Sequence, residues 1–170
     1  MILFLSQKAE SRQLVIHYSD NGVCMRILGL DYGDVRIGVA VSDPMGWTAQ
    51  MVETVHWRFD LEKPLTRIVE LVRQYPADSI VVGLPRNMDG SEGFRVEKTM
   101  EFIRLLQERI PSVPIETWDE RLTTVMAQRA MQDMGIRARE QKGKIDQMAA
   151  AMILQGYLDA KGMRESVRKE

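Results

Sequence analysis

Three acidic positions, far apart in the chain, could act together on one chemistry. Asp31 follows the mostly apolar stretch Arg26 to Leu30, the pair Asp119 and Glu120 lies at the end of the short stretch IETWD, and Asp146 lies in the segment GKIDQMAA. A carboxylate at the end of a buried strand is costly unless it meets a cation or several hydrogen-bond donors. Carboxylate oxygens are the ligands that Mg²⁺ and Mn²⁺ prefer. The three positions therefore predict a divalent-metal site, provided that the fold brings them together.

Each acid also has a purely structural interpretation. Asp31 precedes a glycine turn and could be a turn former, while Glu120 and Asp146 could each favour the start of a helix. Taken singly, each of these alternatives is about as well supported as the functional one. Jointly they are weaker, because all three acids fall at corresponding ends of predicted elements.

The elements that must position these acids are five strands and at least three helices. The strands are predicted at Arg26 to Leu30, Ile37 to Val41, Met51 to Trp57, Ser79 to Leu84 and Ile115 to Asp119. The first and fourth are apolar nearly throughout, which is typical of strands covered on both faces. Gly33 allows a tight turn, so the first two strands form a hairpin.

The helices are predicted from apolar stripes at helical spacing. One stripe is Leu65, Ile68, Val69 and Val72, and another is Val96, Met100, Ile103 and Ile110, with Met51 and Met100 expected to fill the core. A further helix begins near Asp146. This order predicts a mixed α/β sheet with an antiparallel hairpin, parallel crossovers and helices on both faces. The carboxyl ends of the parallel strands are where such sheets place their sites.

Composition limits the interpretation further. A chain of 170 residues, 45% of them hydrophobic, predicts one domain. The single cysteine, Cys24, excludes an internal disulfide framework and favours a reducing, cytoplasmic setting. Met1 to Leu5 is too short for a signal-peptide core or a membrane span. Arg12 to Tyr18 could add a strand, separated from the hairpin by the turn Ser19 to Gly22.

The net charge of −1 gives no general attraction to polyanions, so nucleic-acid binding would need local basic patches. Gly135 to Lys144 is the most basic segment beside the acids and is predicted as a mobile loop. It would contact phosphates through its four cations; the alternative is a solvated surface loop. Those cations are Arg137, Arg139, Lys142 and Lys144.

Four motifs in order carry a family resemblance. LDYGDVRIGVAVSD, VVGLPRNMDGSEG, DERLTT and KIDQMAAAMILQGYLD resemble the YqgF/RuvX family over Met25 to about Gly162. That family is similar to the RuvC Holliday junction resolvases. The resemblance implies a ribonuclease H-like, mixed five-stranded sheet with helices on both faces. It implies an endonuclease, described both as a pre-16S rRNA 5′-end processing enzyme and as a Holliday junction resolvase.

By this resemblance, Asp31, Glu120 and Asp146 are the catalytic, metal-binding acids, and two Mg²⁺ or Mn²⁺ ions are the cofactors. RuvC resolvases carry an acid at the end of the fourth strand, whereas GLPRN has none here, so Glu120 supplies that charge from the next strand. Candidate phosphate contacts are Arg36 and Arg121, each near an acid in the chain, and Arg86 and Asn87 on the loop after GLP, where Asn87 to Gly90 could instead be a simple turn. Arg36 and Arg121 could instead be salt-bridge partners of the acids, and Trp47 and Trp118 are expected to be buried rather than stacked on bases.

The domain prediction is an extension at 1–24, a nuclease domain at 25–162 and a tail at 163–170. A nucleotide-binding function is disfavoured because proteins of that class close two such domains around the nucleotide. A catalytically silent nucleic-acid-binding assembly factor is disfavoured because all three acids are present. The sequence leaves pre-rRNA and branched DNA open as substrates, and monomer and homodimer open as states.

Overall fold

The computed structural model describes residues 26–85, 93–119 and 138–167. The strands are β1 (Arg26–Tyr32), β2 (Arg36–Ser42), β3 (Ala49–His56), β4 (Ala77–Leu84) and β5 (Ile115–Asp119). The helices in this part of the chain are α1 (Glu62–Gln74), α2 (Phe94–Arg109) and α3 (Ala138–Val167). The predicted strand at Arg12 to Tyr18 lies outside the described residues.

All five strands form one sheet in the order β3-β2-β1-β4-β5. β1 is central, as its apolar run predicts; it pairs antiparallel with β2 and parallel with β4. The hairpin register places Asp31 opposite Gly38. On the other side, Leu30 pairs with Val82 and Leu84 pairs with Asp119, so the carboxyl ends of β1, β4 and β5 meet at one edge. The predicted mixed sheet is confirmed.

One face of the sheet packs against α1 and α2. Leu28, Leu30 and Tyr32, at alternate positions of β1, belong to this core. The Tyr32 ring stacks on Phe102 of α2 with centroids 4.5 Å apart. The α1 stripe is confirmed at Leu65, Ile68 and Val72, which are buried.

The α2 stripe is confirmed in part: Val96 and Ile110 are buried and Ile103 packs against the same core, but the prediction is wrong at Met100. The buried residues within α2 are Val96, Thr99, Phe102 and Leu106, whereas Met100 is 47% exposed. Phe102 sets this rotation, because its ring fills the space beneath Tyr32. Met51, on the outer strand β3, is also exposed, so neither methionine fills the core as predicted.

The other face is covered by α3. Ala150, Ile153 and Leu154 of α3 pack on Ile27 and Val81. At Gly29 the helix comes so close that an added Cβ would lie 2.7 Å from the Cβ of Leu154. Helices on both faces of the sheet are thus confirmed.

The predicted loop at Gly135 to Lys144 is wrong from Ala138 onward, where α3 begins. Ala, Arg, Glu, Gln and Lys are all good helix formers, and a single glycine inside a helix costs only about 1 kcal/mol. The absence of an apolar stripe therefore did not indicate a loop. α3 continues to Val167, so it includes residues 163–167 of the predicted C-terminal tail. No helix in the described ranges is long and apolar enough to cross a membrane.

Candidate active site

Asp31 lies on the face of β1 that packs against α3. Side chains alternate along a strand, and Ile27 and Gly29 already face this helix. From Gly29, which touches Ala150, the step along β1 to Asp31 is about 6.6 Å. The step back along α3 from Ala150 to Asp146 is about 6 Å. The two acids therefore lie at the same level of the interface between sheet and helix.

Gly38 provides direct evidence for this placement. It is the register partner of Asp31, and the backbone of Asp146 rests on it. A Cβ added to Gly38 would lie 1.9 Å from the carbonyl oxygen of Asp146. Only a glycine lets the helix come this close. Gly38 was not among the predicted site residues, although a glycine inside a strand is a recognised sign of close backbone approach.

Arg36 is joined directly to Asp146. Its Nε donates a hydrogen bond to Oδ2 of Asp146 at 2.7 Å, and the two side chains are 32% and 19% exposed. The salt-bridge alternative for Arg36 is therefore what the structure shows. The bond occupies one nitrogen of the guanidinium, and within the described ranges its two Nη groups make no hydrogen bond.

The turn between β1 and β2 holds Arg36 at this edge. The Gly33 N–H donates to the Arg36 carbonyl at 2.9 Å, and Nε1 of Trp57 donates to the Gly33 carbonyl at 3.2 Å. Beneath the turn, burial and the charge of Asp34 raise the pKa of the Tyr32 hydroxyl above its ordinary value. The turn is thus held by its own backbone hydrogen bond and by the Trp57 side chain, which directly follows β3.

The β5 side of the site ends at Asp119. Glu116 and Trp118 face α3, because the Tyr157 hydroxyl donates to Glu116 at 2.9 Å and its ring meets Trp118 edge-on. Trp118 is partly buried, as predicted. Trp47 lies beyond the end of β2 that is farther from Arg36, and it is 71% exposed, so the prediction of burial is wrong for this residue. Trp47 is exposed because the Asp43 carboxylate and Gln155 fix the surrounding backbone as a turn.

Several predicted site residues lie outside the described residues: Arg86, Asn87, Glu120, Arg121 and Arg137. Arg139 and Lys142 are on the first turns of α3, and Lys144 is exposed two residues before Asp146. Within the described ranges, no three His, Cys, Asp or Glu side chains are grouped to hold a metal ion. The structure thus places two of the three predicted ligands.

The two placed acids fit a hard divalent cation in their chemistry. Both offer carboxylate oxygens, and they come from two different elements, a central strand and the helix packed on it. Rigid elements of this kind hold ligands more accurately than loops do. Arg36 supplies a positive charge to Asp146 at the same place, so the charge of this carboxylate is compensated in the structure.

Comparison with known proteins finds relatives that match most of the chain. A protein from Acetivibrio thermocellus named "Putative pre-16S rRNA nuclease" is 59% identical over 138 residues, which cover 81% of this chain and 98% of that protein. A protein of the same name from Ruminiclostridium cellulolyticum is 52% identical over 135 residues, covering 79% and 94%.

Among solved structures, Thermus thermophilus RuvC in complex with a Holliday junction substrate superposes with a TM-score of 0.53 at 16% identity, covering 81% of this chain and 95% of that one. This likeness confirms the predicted ribonuclease H-like fold. The family model RuvX, described as Holliday junction resolvase, matches residues 25–160. The predicted resemblance is confirmed, and the chain belongs to the RuvX family.

Proposed function

We propose that this protein is a metal-dependent endonuclease that hydrolyses phosphodiester bonds in the 5′-end processing of precursor 16S rRNA. The observation that carries the proposal is the seating of Asp146 on Gly38, beside Asp31, at the carboxyl edge of the parallel strands. Close relatives are named as nucleases of this precursor. The single cysteine and the rRNA substrate together favour a cytoplasmic location.

Three acids would hold the cofactor, two Mg²⁺ or Mn²⁺ ions. When bound, such ions supply positive charge for the attacking water and the departing oxygen of a phosphodiester. Asp31, which is central in the sheet, would contribute ligand oxygens to both ions, and Glu120 and Asp146 would each contribute to one. β5 lies two strand spacings from β1, about 10 Å, and Glu120 directly follows its last residue, Asp119, in the chain.

Arg36 would orient the substrate. Its Nε stays on Asp146, which keeps that carboxylate in one position, while the two Nη groups form a fork that suits phosphate oxygens. Further phosphate contacts are proposed for residues around the same edge and along the start of α3. These are Arg86, Asn87, Arg121, Arg137, Arg139, Lys142 and Lys144.

A second candidate is resolution of Holliday junctions, which the description of the family model favours. The same acids would serve both substrates, because hydrolysis of either backbone needs the same charge stabilisation. The two candidates differ in what binds around the acids: a single RNA strand in one case and a branched duplex in the other.

The test is a side-by-side cleavage assay. A precursor fragment spanning the 16S 5′ end and a four-way DNA junction are each incubated with Mg²⁺, with Mn²⁺ and with chelator, using wild-type protein and Asp31→Asn. We expect metal-dependent cleavage of the RNA at a defined position and none by the variant. Cleavage of the junction alone would support the second candidate. Tight RNA binding without cleavage under any condition would indicate a silent assembly factor and refute the proposal.

A further inference from the structure

An exposed aromatic ring with a cation over it lies at the start of α2, on the opposite face of the sheet from Asp31 and Asp146, and is linked to the β1–β2 turn at the carboxyl edge that carries the candidate active site. Phe94, the first residue of α2, is 69% exposed, and Nζ of Lys98 lies 4.6 Å from its ring centroid. Residues four apart share one face of a helix, and here Val96 and Thr99 on the other face are buried in the core. The body of α2 therefore fixes the pair while leaving the ring in solvent.

The pair is tied to the turn that carries the site. Nζ of Lys98 contacts Oδ1 of Asp34 at 3.3 Å, and Asp34 lies between Asp31 and Arg36 in the chain. Lys98 is thus held between a carboxylate and the face of Phe94. A ring that a cation already holds in one orientation loses little conformational entropy when a flat group such as a base stacks on its other face.

We propose that Phe94 is a stacking platform for one unpaired base of the nucleic-acid strand that crosses the active site, with Lys98 and Arg95 contacting its backbone. Arg95 is exposed and adjacent to the ring. This inference rests on the proposed endonuclease function and deepens it, because stacking on a ring requires an unpaired base. The subsite selects single-stranded or locally opened nucleic acid over continuous duplex.

Single exposed apolar residues are common on protein surfaces and by themselves need no explanation. The structure offers a comparison within the same chain: Trp47 is equally exposed, but it lies at the end of β2 opposite to Arg36. Phe94 differs from Trp47 in having a cation over its face and a direct link to the turn beside Asp31. This link to the turn at the carboxyl edge, rather than exposure alone, is what distinguishes Phe94.

The experiment measures binding in chelator, so that nothing is cleaved. Fluorescence anisotropy gives the affinity for a single-stranded RNA and for the same sequence paired with its complement. The proteins are wild type, Phe94→Ala, Phe94→Leu, Phe94→Trp and, as the matched control, Trp47→Ala. Phe94→Ala and Phe94→Leu should weaken single-strand binding by about 5- to 150-fold, the range for loss of one stacked base. Phe94→Trp should retain it, and Trp47→Ala should have no effect.

Duplex affinity should change little in any of these variants. Equal single-strand affinity for wild type and Phe94→Ala would refute the platform, as would full retention by Phe94→Leu, which keeps an apolar side chain but no ring. A change in the oligomeric state of the free protein on Phe94→Ala would assign the ring to contact with a second copy of the chain and would also refute the stacking platform.

The outcome is separable from the proposed function. A protein that cleaves precursor rRNA but does not need Phe94 for binding loses only the subsite. A protein that never cleaves but loses single-strand affinity with Phe94→Ala keeps the subsite and loses the endonuclease assignment.

Discussion

Gly38→Ala is the most direct test of how the fold positions the active site. The new Cβ would lie 1.9 Å from the carbonyl oxygen of Asp146 and 2.4 Å from its carbonyl carbon. Real Cβ contacts essentially never fall below 3.0 Å, so the start of α3 must move away by about 1 Å or more. The obstructing atoms are backbone, so no change of side-chain rotamer relieves the clash.

Two effects of this displacement can be estimated. Overpacking of a well-packed interior costs about 1–3 kcal/mol, and a contact with backbone belongs at the upper end. For a domain of this size, 3 kcal/mol lowers the melting temperature by about 6–12 °C. A misplacement of about 1 Å at a reacting centre lowers the rate by about 100-fold, because the carboxylate of Asp146 moves with its helix.

Two other glycines on the same sheet and helix provide controls. A Cβ added at Gly29 would lie 2.7 Å from the Cβ of Leu154, about two helical turns from Asp146, so Gly29→Ala should destabilise the protein and lower the cleavage rate less than Gly38→Ala does. Gly162→Ala meets nothing within 4 Å and should stabilise α3 by about 0.5–1 kcal/mol. Thermal unfolding and cleavage at saturating Mn²⁺ are measured for all three. A Gly38→Ala protein that cuts at the wild-type rate would show that this contact does not position Asp146.

Four further outcomes are expected. Asp31→Asn, Glu120→Gln and Asp146→Asn should each nearly abolish cleavage while circular dichroism stays unchanged; wild-type cutting by the triple variant in chelator would exclude the metal mechanism. Arg36→Gln should flatten the slope of log affinity against log salt by about 0.7–0.9 if the Nη fork holds a phosphate, and an unchanged slope would leave it only the salt bridge. Replacing Arg137, Arg139, Lys142 and Lys144 by Gln should reduce the same slope further, with Mn²⁺ affinity little changed. The hydrogen bond from Arg67 lowers the pKa of Glu53 below its ordinary value of 4.5. This pair therefore stabilises the fold above pH 4.5 by about 1 kcal/mol or less, and the stabilisation disappears as the pH falls through the lowered pKa. Glu53→Gln should remove that part of the dependence of the melting temperature on acid pH, as measured in thermal scans.

Much of the sheet could be predicted because its central strands are buried on both faces. Burial on both sides demands continuous apolar runs, and these are visible at Leu28 to Leu30 and at Ile80 to Val82. The rotation of α2 could not be predicted, because Phe102 and Met100 are both apolar and their spacing fits more than one face. The choice is made by Tyr32, whose ring accepts Phe102 from across the core.

The candidate site was predictable as a set of acids but not as an arrangement. Asp31 and Asp146 are separated by 115 positions in the chain, and only the packing of α3 on the sheet brings them level. The role of Arg36 stayed open in the sequence because a guanidinium suits a carboxylate as well as a phosphate. The start of α3 was missed for a related reason: a charged, glycine-containing segment lacks an apolar stripe whether it is a loop or a solvated helical turn.

α3 couples stability to chemistry in this fold. The contacts that seat Ala150 and Leu154 on Gly29 and Ile27 are the same contacts that fix the height of Asp146 beside Asp31. Any substitution that loosens this interface should therefore lower the cleavage rate as well as the melting temperature. Substitutions at the α1 and α2 face, such as Ile68→Val, should lower the melting temperature with less effect on the rate, because that face carries neither Asp31 nor Asp146. We therefore expect the ratio of the loss in cleavage rate to the loss in melting temperature to be larger for substitutions on the α3 face than for those on the α1 and α2 face. Equal ratios on the two faces would mean that the position of α3 does not limit catalysis.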